Sequence, residues 1–345
     1  MRAVRIHQHG GPEVLKLEEI DPLPSQRPGK GEVSVEVRAC ALNHLDLWTR
    51  KGLPGVTIPM PHILGSDISG VVAQVGEGVS DIHSGQEVVL QPGLSCGRCP
   101  RCLEGRDSEC RDYRILGYQV DGGYTERLTV PAVNVLPKPG RLSFEEAASV
   151  PLVFLTAWHM LVGRARIRPG EEVLVQAAGS GVGIAAIQIA KLWGARVLAT
   201  ASTEAKLERA KELGADQLIN YQEKDFVAEV RRITEKRGVD VVIEHVGGQT
   251  FEKSLQCLAR SGRLVTCGAT TGPGVQLDLR FVYARQLSIL GSYMGGKAEL
   301  VALLPFFDAS KLRPVVDKVF PLAEAPDAHR RLESREQFGK VVLRV

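Results

Sequence analysis

At 345 residues the chain exceeds what one hydrophobic core usually organises, so two domains are expected. Hydrophobic residues make up 44% and charged residues 24%, as in a globular protein, and acids and bases are interleaved at a formal charge of +3, which argues against nucleic acid as a partner. No apolar run reaches the ~18 residues of a membrane span, and "MRAVRIHQHGGPEVL" lacks the apolar core of a signal peptide. A cytoplasmic location with reduced thiols is the expectation.

The N-terminal part reads as strands and turns. "EVSVEVRACALN" (32–43) alternates apolar and polar residues, and "SGVVAQVGEGV" (69–79) and "GQEVVLQPG" (85–93) are β runs closed by glycines. Next comes "LSCGRCPRCLEGRDSEC" (94–110), where Cys96, Cys99, Cys102 and Cys110 follow the pattern C-x2-C-x2-C-x7-C. In a reducing compartment such a cluster points to metal. Four thiolates match a closed, structural Zn²⁺ site. An iron–sulfur cluster is the rival, but the run continues through the charged "LEGRDSE" where ferredoxin motifs continue x3-C-Pro. Cys40, Cys257 and Cys267 stand in apolar runs and read as core.

A different pattern starts at "SFEEAASV", where Ser143 and Glu146 form a capping box. From there strands and helices alternate: "EEVLVQAA" with "GVGIAAIQIAKLWG", "ARVLATA" with "TEAKLERAKELG", "DQLIN" with "EKDFVAEVRRITEKRG", and "VDVVIEHV" with "GQTFEKSLQCLA". "GRLVTCGA" and "QLSILGSYM" close the series. This predicts a doubly wound parallel sheet. The closing segment, ending "GKVVLRV", predicts one helix and two short strands that complete the first domain. The expected boundaries are 1–153 with a cysteine lobe at 94–112, an inserted domain at 154–294, and a return segment at 295–345.

"VLVQAAGSGVGIAA" sets a glycine-rich turn between a buried strand and a helix. Backbone N–H groups at such a helix start bind a pyrophosphate. Gly179, Ser180, Gly181 and Val182 line the expected cradle, although Ala178 and Ser180 stand where the strict G-x-G-x-x-G pattern has glycines. The next strand ends "LATASTEAK", with Ala201 and Ser202 where an NAD-selective acid is expected; Lys206 and the Ser202 hydroxyl suit a 2′-phosphate. NADPH is the cofactor expected. His245, in "VVIEHVGG", reads as a hydrogen-bonded histidine at the cofactor edge.

Taken together, "GGPEVLKL", "ALNHLDLWTRKG", "ILGSDISGVVAQVGEGV", the cysteine lobe, "FLTAW", "AAGSGVG" and "FGKVVLRV" resemble the medium-chain dehydrogenase/reductase superfamily from end to end. The resemblance implies an α/β chain: a Rossmann domain plus a discontinuous, β-rich, GroES-like domain. In the zinc alcohol dehydrogenases of that superfamily a catalytic zinc is held by residues whose positions fall here on Asn43, Ser66 and Leu152, and the proton-relaying hydroxyl falls on Leu45. Leucine and a neutral amide do not replace thiolate and imidazole on zinc.

Similarity to the quinone oxidoreductase branch implies hydride transfer from NADPH to a quinone or α,β-unsaturated carbonyl without a catalytic metal. It places Asn43 and Asp46 at the nicotinamide end, Ser202, Lys206 and Tyr221 at the 2′-phosphate, and Thr156, Gly181 and Val182 along the cofactor. His44 falls near the pyrophosphate. Tyrosines near the quinone in some of these enzymes are replaced by Trp48 and Pro54. The runner-up is an alcohol or aldehyde dehydrogenase whose catalytic metal is bound by residues the sequence does not single out. His44, His62, Asp46 and Asp67 are one conceivable metal set, although two histidines and two acids in loops more often make surface hydrogen bonds. A third reading is an NADPH-binding protein without turnover. The expected partners are a small-molecule substrate and a second copy of the chain in a dimer paired through "LSILGSYM", or a tetramer, with neither nucleic acid nor membrane.

Overall fold

The computed structural model describes residues 1–21 and 27–345. The chain forms two compact units, one of residues Met1–Leu152 and Gly296–Val345, the other of Val153–Gly295.

The first unit is built on a seven-stranded sheet. Strand Glu32–Ala41 is central; it pairs antiparallel with Asp67–Val75, Arg127–Pro131 and the final strand Lys340–Arg344. Lys340–Arg344 in turn runs parallel to Val316–Pro321. The return segment thus supplies strands beside the first unit's own. It carries three helices where one is expected, Lys297–Leu303, Pro305–Asp308 and Ala325–Glu333. Pro305 explains the first extra element, because a proline without an N–H begins a helix more readily than it continues one.

Val33, Val35, Val37, Ile68, Val72 and Leu343 meet in the core of this unit, each burial contributing about 1.5–3 kcal/mol. The capping box appears as expected: Ser143 N donates to Glu146 Oε2 at 2.9 Å, and Glu146 N donates to Ser143 Oγ at 3.2 Å.

A polar clamp fixes the helix His44–Lys51. The fully buried Arg50 donates to Gly10 O at 3.1 Å, to Glu333 at 2.6 Å and to His329 Nδ1 at 3.0 Å. Arginine has no acceptor, so Nδ1 accepts and Nε2 carries the proton toward Tyr124 Oη, 3.0 Å away. Burial, with Arg50 adjacent, pushes the His329 pKa down to about 3 and keeps the ring neutral.

The second unit is a six-stranded, all-parallel sheet. Its strands in spatial order are Gln217–Asn220, Arg196–Ala201, Glu172–Val175, Val239–Glu244, Leu258–Thr266 and Ser288–Gly291. Numbered along the chain this is 3-2-1-4-5-6, the doubly wound dinucleotide-binding order. Helix Gly181–Leu192 is apolar around most of its circumference and buries Ile184, Ala185, Ile187 and Ile189, as a helix covering a parallel sheet must. Among the described residues no helix is long and apolar enough to cross a membrane.

Candidate functional site

The cysteine lobe folds around its own short loops. Cys99 precedes the helical turn Pro100–Leu103, which carries Cys102, and Cys110 follows the turn Asp107–Glu109. All four sulfurs lie within 4.8 Å of one another, with Cys96–Cys102 at 3.9 Å and Cys99–Cys102 at 3.5 Å. Four thiolates around zinc sit about 3.8 Å apart, given Zn–S bonds of about 2.3 Å in a tetrahedron. Backbone N–H groups of Arg98 and Cys99 push the Cys96 thiol down to about 6, toward the thiolate a metal requires. The donor set fits zinc and leaves no position for substrate.

The glycine turn is tightly built. Ser180 caps helix Gly181–Leu192, its Oγ accepting from Gly183 N at 2.9 Å. A Cβ on Gly183 would lie 2.5 Å from Ala177 O, so only glycine fits this close approach. His245, at the carboxyl end of the adjoining strand, meets Ser180 Oγ through Nε2 at 2.8 Å, and burial pushes its pKa down to about 4. Val182 stands in the helix's first turn, and Gly179 in the turn before its cap.

The structure brings Ser202 and Tyr221 to neighbouring strand ends: Tyr221 N donates to Ala201 O at 3.1 Å. Lys206 lies in the first turn of helix Glu204–Glu212, its N–H bonded to the capping Thr203 hydroxyl at 3.3 Å. One acid near these residues escaped the sequence reading. Glu204 accepts from Asn220 Nδ2 at 3.0 Å. Thr156 is buried in helix Pro151–Trp158.

Asn43 caps helix His44–Lys51, and Asp46 answers from its third position. Asp46 is wholly buried and accepts from Asn43 N at 2.7 Å and Gly65 N at 2.9 Å. Gly65 has φ +101°, and a Cβ there would lie 2.5 Å from the Tyr124 ring. Burial pushes the Asp46 carboxyl up to about 7, against the two N–H groups and the Lys340 charge. Asp46 therefore acts as a bracket for backbone.

The Asn43 side chain faces a cation that the sequence reading missed. Lys340 Nζ donates to Asn43 Oδ1 at 2.5 Å and to Asp67 Oδ2 at 2.9 Å. Asn43 Nδ2 donates to the same Asp67 oxygen at 3.0 Å, and its other contact, Ala41 O, is long at 3.5 Å. Asp67 Oδ1 accepts from Leu152 N at 2.7 Å. Asn43 and Leu152 thus converge on one carboxylate, that of Asp67, the neighbour of Ser66. These residues do not fit a catalytic zinc. The amide oxygen is held by an ammonium, the Leu152 N–H is already donated, and Ser66 offers only a buried neutral hydroxyl with no partner among the described residues.

The atypical metal set does not assemble either. His62 Nδ1 lies 3.4 Å from Asp121, and among the described residues only the four cysteines group three or more metal-binding side chains. His44 stacks obliquely near Trp48, with ring centroids 6.3 Å apart.

Comparison with known proteins agrees with this architecture. Residues 29–140 match the alcohol dehydrogenase GroES-like domain, and residues 181–309 match the zinc-binding dehydrogenase family. A zinc-type alcohol dehydrogenase-like protein of Schizosaccharomyces pombe is 33% identical, covering 100% of this chain and 99% of the relative. A quinone oxidoreductase of Sus scrofa is 31% identical over 99% of this chain and 97% of its own length. Among solved structures, an NAD-dependent alcohol dehydrogenase superposes with a TM-score of 0.96 at 53% identity, each chain covered completely.

Proposed function

The chain belongs to the medium-chain dehydrogenase/reductase superfamily, and on that premise we propose an NADPH-dependent oxidoreductase acting on quinones or α,β-unsaturated carbonyls without a catalytic metal. The chemistry supplied by a bound dinucleotide is hydride transfer from nicotinamide C4 to an electron-poor carbon. The observation that carries the metal-free reading is the Lys340–Asn43–Asp67 cluster, which ties up Asn43 and the Leu152 N–H, two of the three positions where zinc enzymes of the superfamily have ligands.

Each site residue then has a task. The N–H groups of Gly181 and Val182 hold the pyrophosphate, with Ser180 closing the turn by accepting from Gly183 N. Ser202, Lys206 and Tyr221 hold the 2′-phosphate. Thr156 lines the path of the cofactor. Asn43 presents its loosely held second N–H to the acceptor oxygen, where negative charge develops, and conjugation in the acceptor lowers the demand for further stabilisation. A single Zn²⁺ in the Cys96–Cys110 lobe holds shape.

A second copy of the chain is the proposed partner. Strand Ser288–Gly291 forms the edge of the parallel sheet, with Ile289 and the nearby Tyr283 and Tyr293 exposed. An open, partly apolar edge is a pairing surface.

A second reading, NAD-dependent alcohol oxidation, draws on Glu204 beside the expected 2′-phosphate position and on the name of the 53%-identical relative. The deciding experiment compares kcat/KM for NADPH and NADH across quinones, enones and aldehydes, and for NADP⁺ and NAD⁺ across simple alcohols. NADPH oxidation by quinones or enones supports the proposal. Alcohol oxidation outrunning both supports the second reading, and saturable binding without turnover removes the enzymatic one.

A further inference from the structure

We infer that Lys340 is the resident cation of the Asn43 site, a position where the zinc enzymes have a metal ligand, and that it positions Asn43 through its amide oxygen. Lys340 opens the last strand of its unit and is 4% exposed. A buried ammonium persists only where anions and acceptors compensate the loss of water. Here the compensation is specific: one bond goes to the Asp67 carboxylate and one to the Asn43 amide oxygen.

Two consequences follow from this geometry. First, Asp67 is already neutralised and Asn43 Oδ1 already coordinated by hydrogen, so a divalent cation entering here would have to displace the ammonium. Second, the ammonium fixes which way the Asn43 amide faces. Its oxygen turns to Nζ and its NH₂ turns to Asp67 and Ala41. A cation donating to the amide oxygen also polarises the amide and strengthens its N–H groups as donors. Lys340 thus acts through Asn43, as a positioning residue. The inference rests on the proposed role of Asn43, but it does not depend on which acceptor is reduced.

The test uses the full-length protein with Lys340→Ala, Lys340→Met and Lys340→Arg. Removing a charged hydrogen bond to Asn43 should lower kcat roughly tenfold to a hundredfold in the Ala and Met variants, with KM for NADPH little changed. Ethylammonium should restore part of kcat to Lys340→Ala and raise its melting temperature. It should do neither for Lys340→Met, where the side chain fills the space. Lys340→Arg, which keeps a cation, should recover more of kcat than Lys340→Met.

Cobalt titration provides a readout independent of turnover. The wild type should take up one Co²⁺ per chain, with thiolate charge-transfer bands only. A second Co²⁺ in the wild type, or a Lys340→Ala variant whose melting temperature ignores ethylammonium, would overturn the inference. If Lys340→Ala fails to fold, Lys340→Met and Lys340→Arg decide it: equal kcat in these two variants would count against it. If the wild type reduces no quinone or enone, the proposed function fails, while the cobalt and melting measurements still decide the role of Lys340.

Discussion

Lys340 and Asn43 lie 297 residues apart in the chain, yet Nζ of one is 2.5 Å from Oδ1 of the other. That contact joins the first residue of the last strand to the cap of helix His44–Lys51. Arg50 secures the same helix from its other end through His329 and Glu333. The Asn43 amide is therefore held by a cation in front and a clamped helix behind.

Replacing Asn43 by Ala should lower kcat roughly tenfold to a hundredfold, because a donor aimed at developing charge acts mainly in the transition state. KM for NADPH should change little. Steady-state kinetics with a quinone acceptor check both, and a rise in KM alone would assign Asn43 to binding.

Asp46 makes stability depend on pH in a stated direction. Burial raises its carboxyl to about 7 in the folded chain, against an ordinary value of 3.8. Between these values the unfolded chain loses its proton first, so the Asp46 contribution is fully present below about pH 4 and declines as pH rises to about 7. Asp46→Asn also loses hydrogen bonds, so only the difference between the curves is informative. The variant's deficit relative to wild type should shrink with rising pH, measured by urea unfolding; a parallel pair of curves would contradict it.

The lobe metal should stabilise without reacting. At free zinc about a hundredfold above Kd, a bound ion adds about 2.7 kcal/mol. Replacing Cys102 by Ser should abolish zinc uptake and lower the melting temperature, while a fraction that remains folded keeps its KM for acceptor. A changed acceptor KM with an unchanged melting temperature would move the lobe metal into the active site.

Cofactor preference should respond to two substitutions. Ser202→Asp sets a carboxylate where the 2′-phosphate is proposed to lie, and Lys206→Ala removes the cation. Each should raise KM for NADPH roughly tenfold while leaving NADH within a few-fold. Equal effects on both cofactors would shift the assignment toward NAD and give Glu204 the ribose.

How much of this was legible depended on sequence distance. The cysteine lobe, the Ser143–Glu146 box and the turn at Gly183 declare themselves because their partners lie within a few residues. The parallel sheet itself followed from alternating strands and helices. Lys340 was invisible for the opposite reason. Its partners are 297 and 273 residues away, and a lysine before "VVLRV" looks like any strand end. Asp67 was noticed only as a possible metal ligand, since its contact with the Leu152 N–H depends on tertiary packing. The return segment carries three helices where one was expected, because its short helices span too few turns to show a clear period.

The central claim is that hydride transfer here needs no catalytic metal, and zinc content per chain tests it most directly. Elemental analysis of protein saturated with Zn²⁺ should give one zinc per chain, lost when Cys96 and Cys110 are both replaced by Ser. Two zincs per chain, with one retained in that variant, would contradict the account and put a metal among Asn43, Asp67 and Ser66.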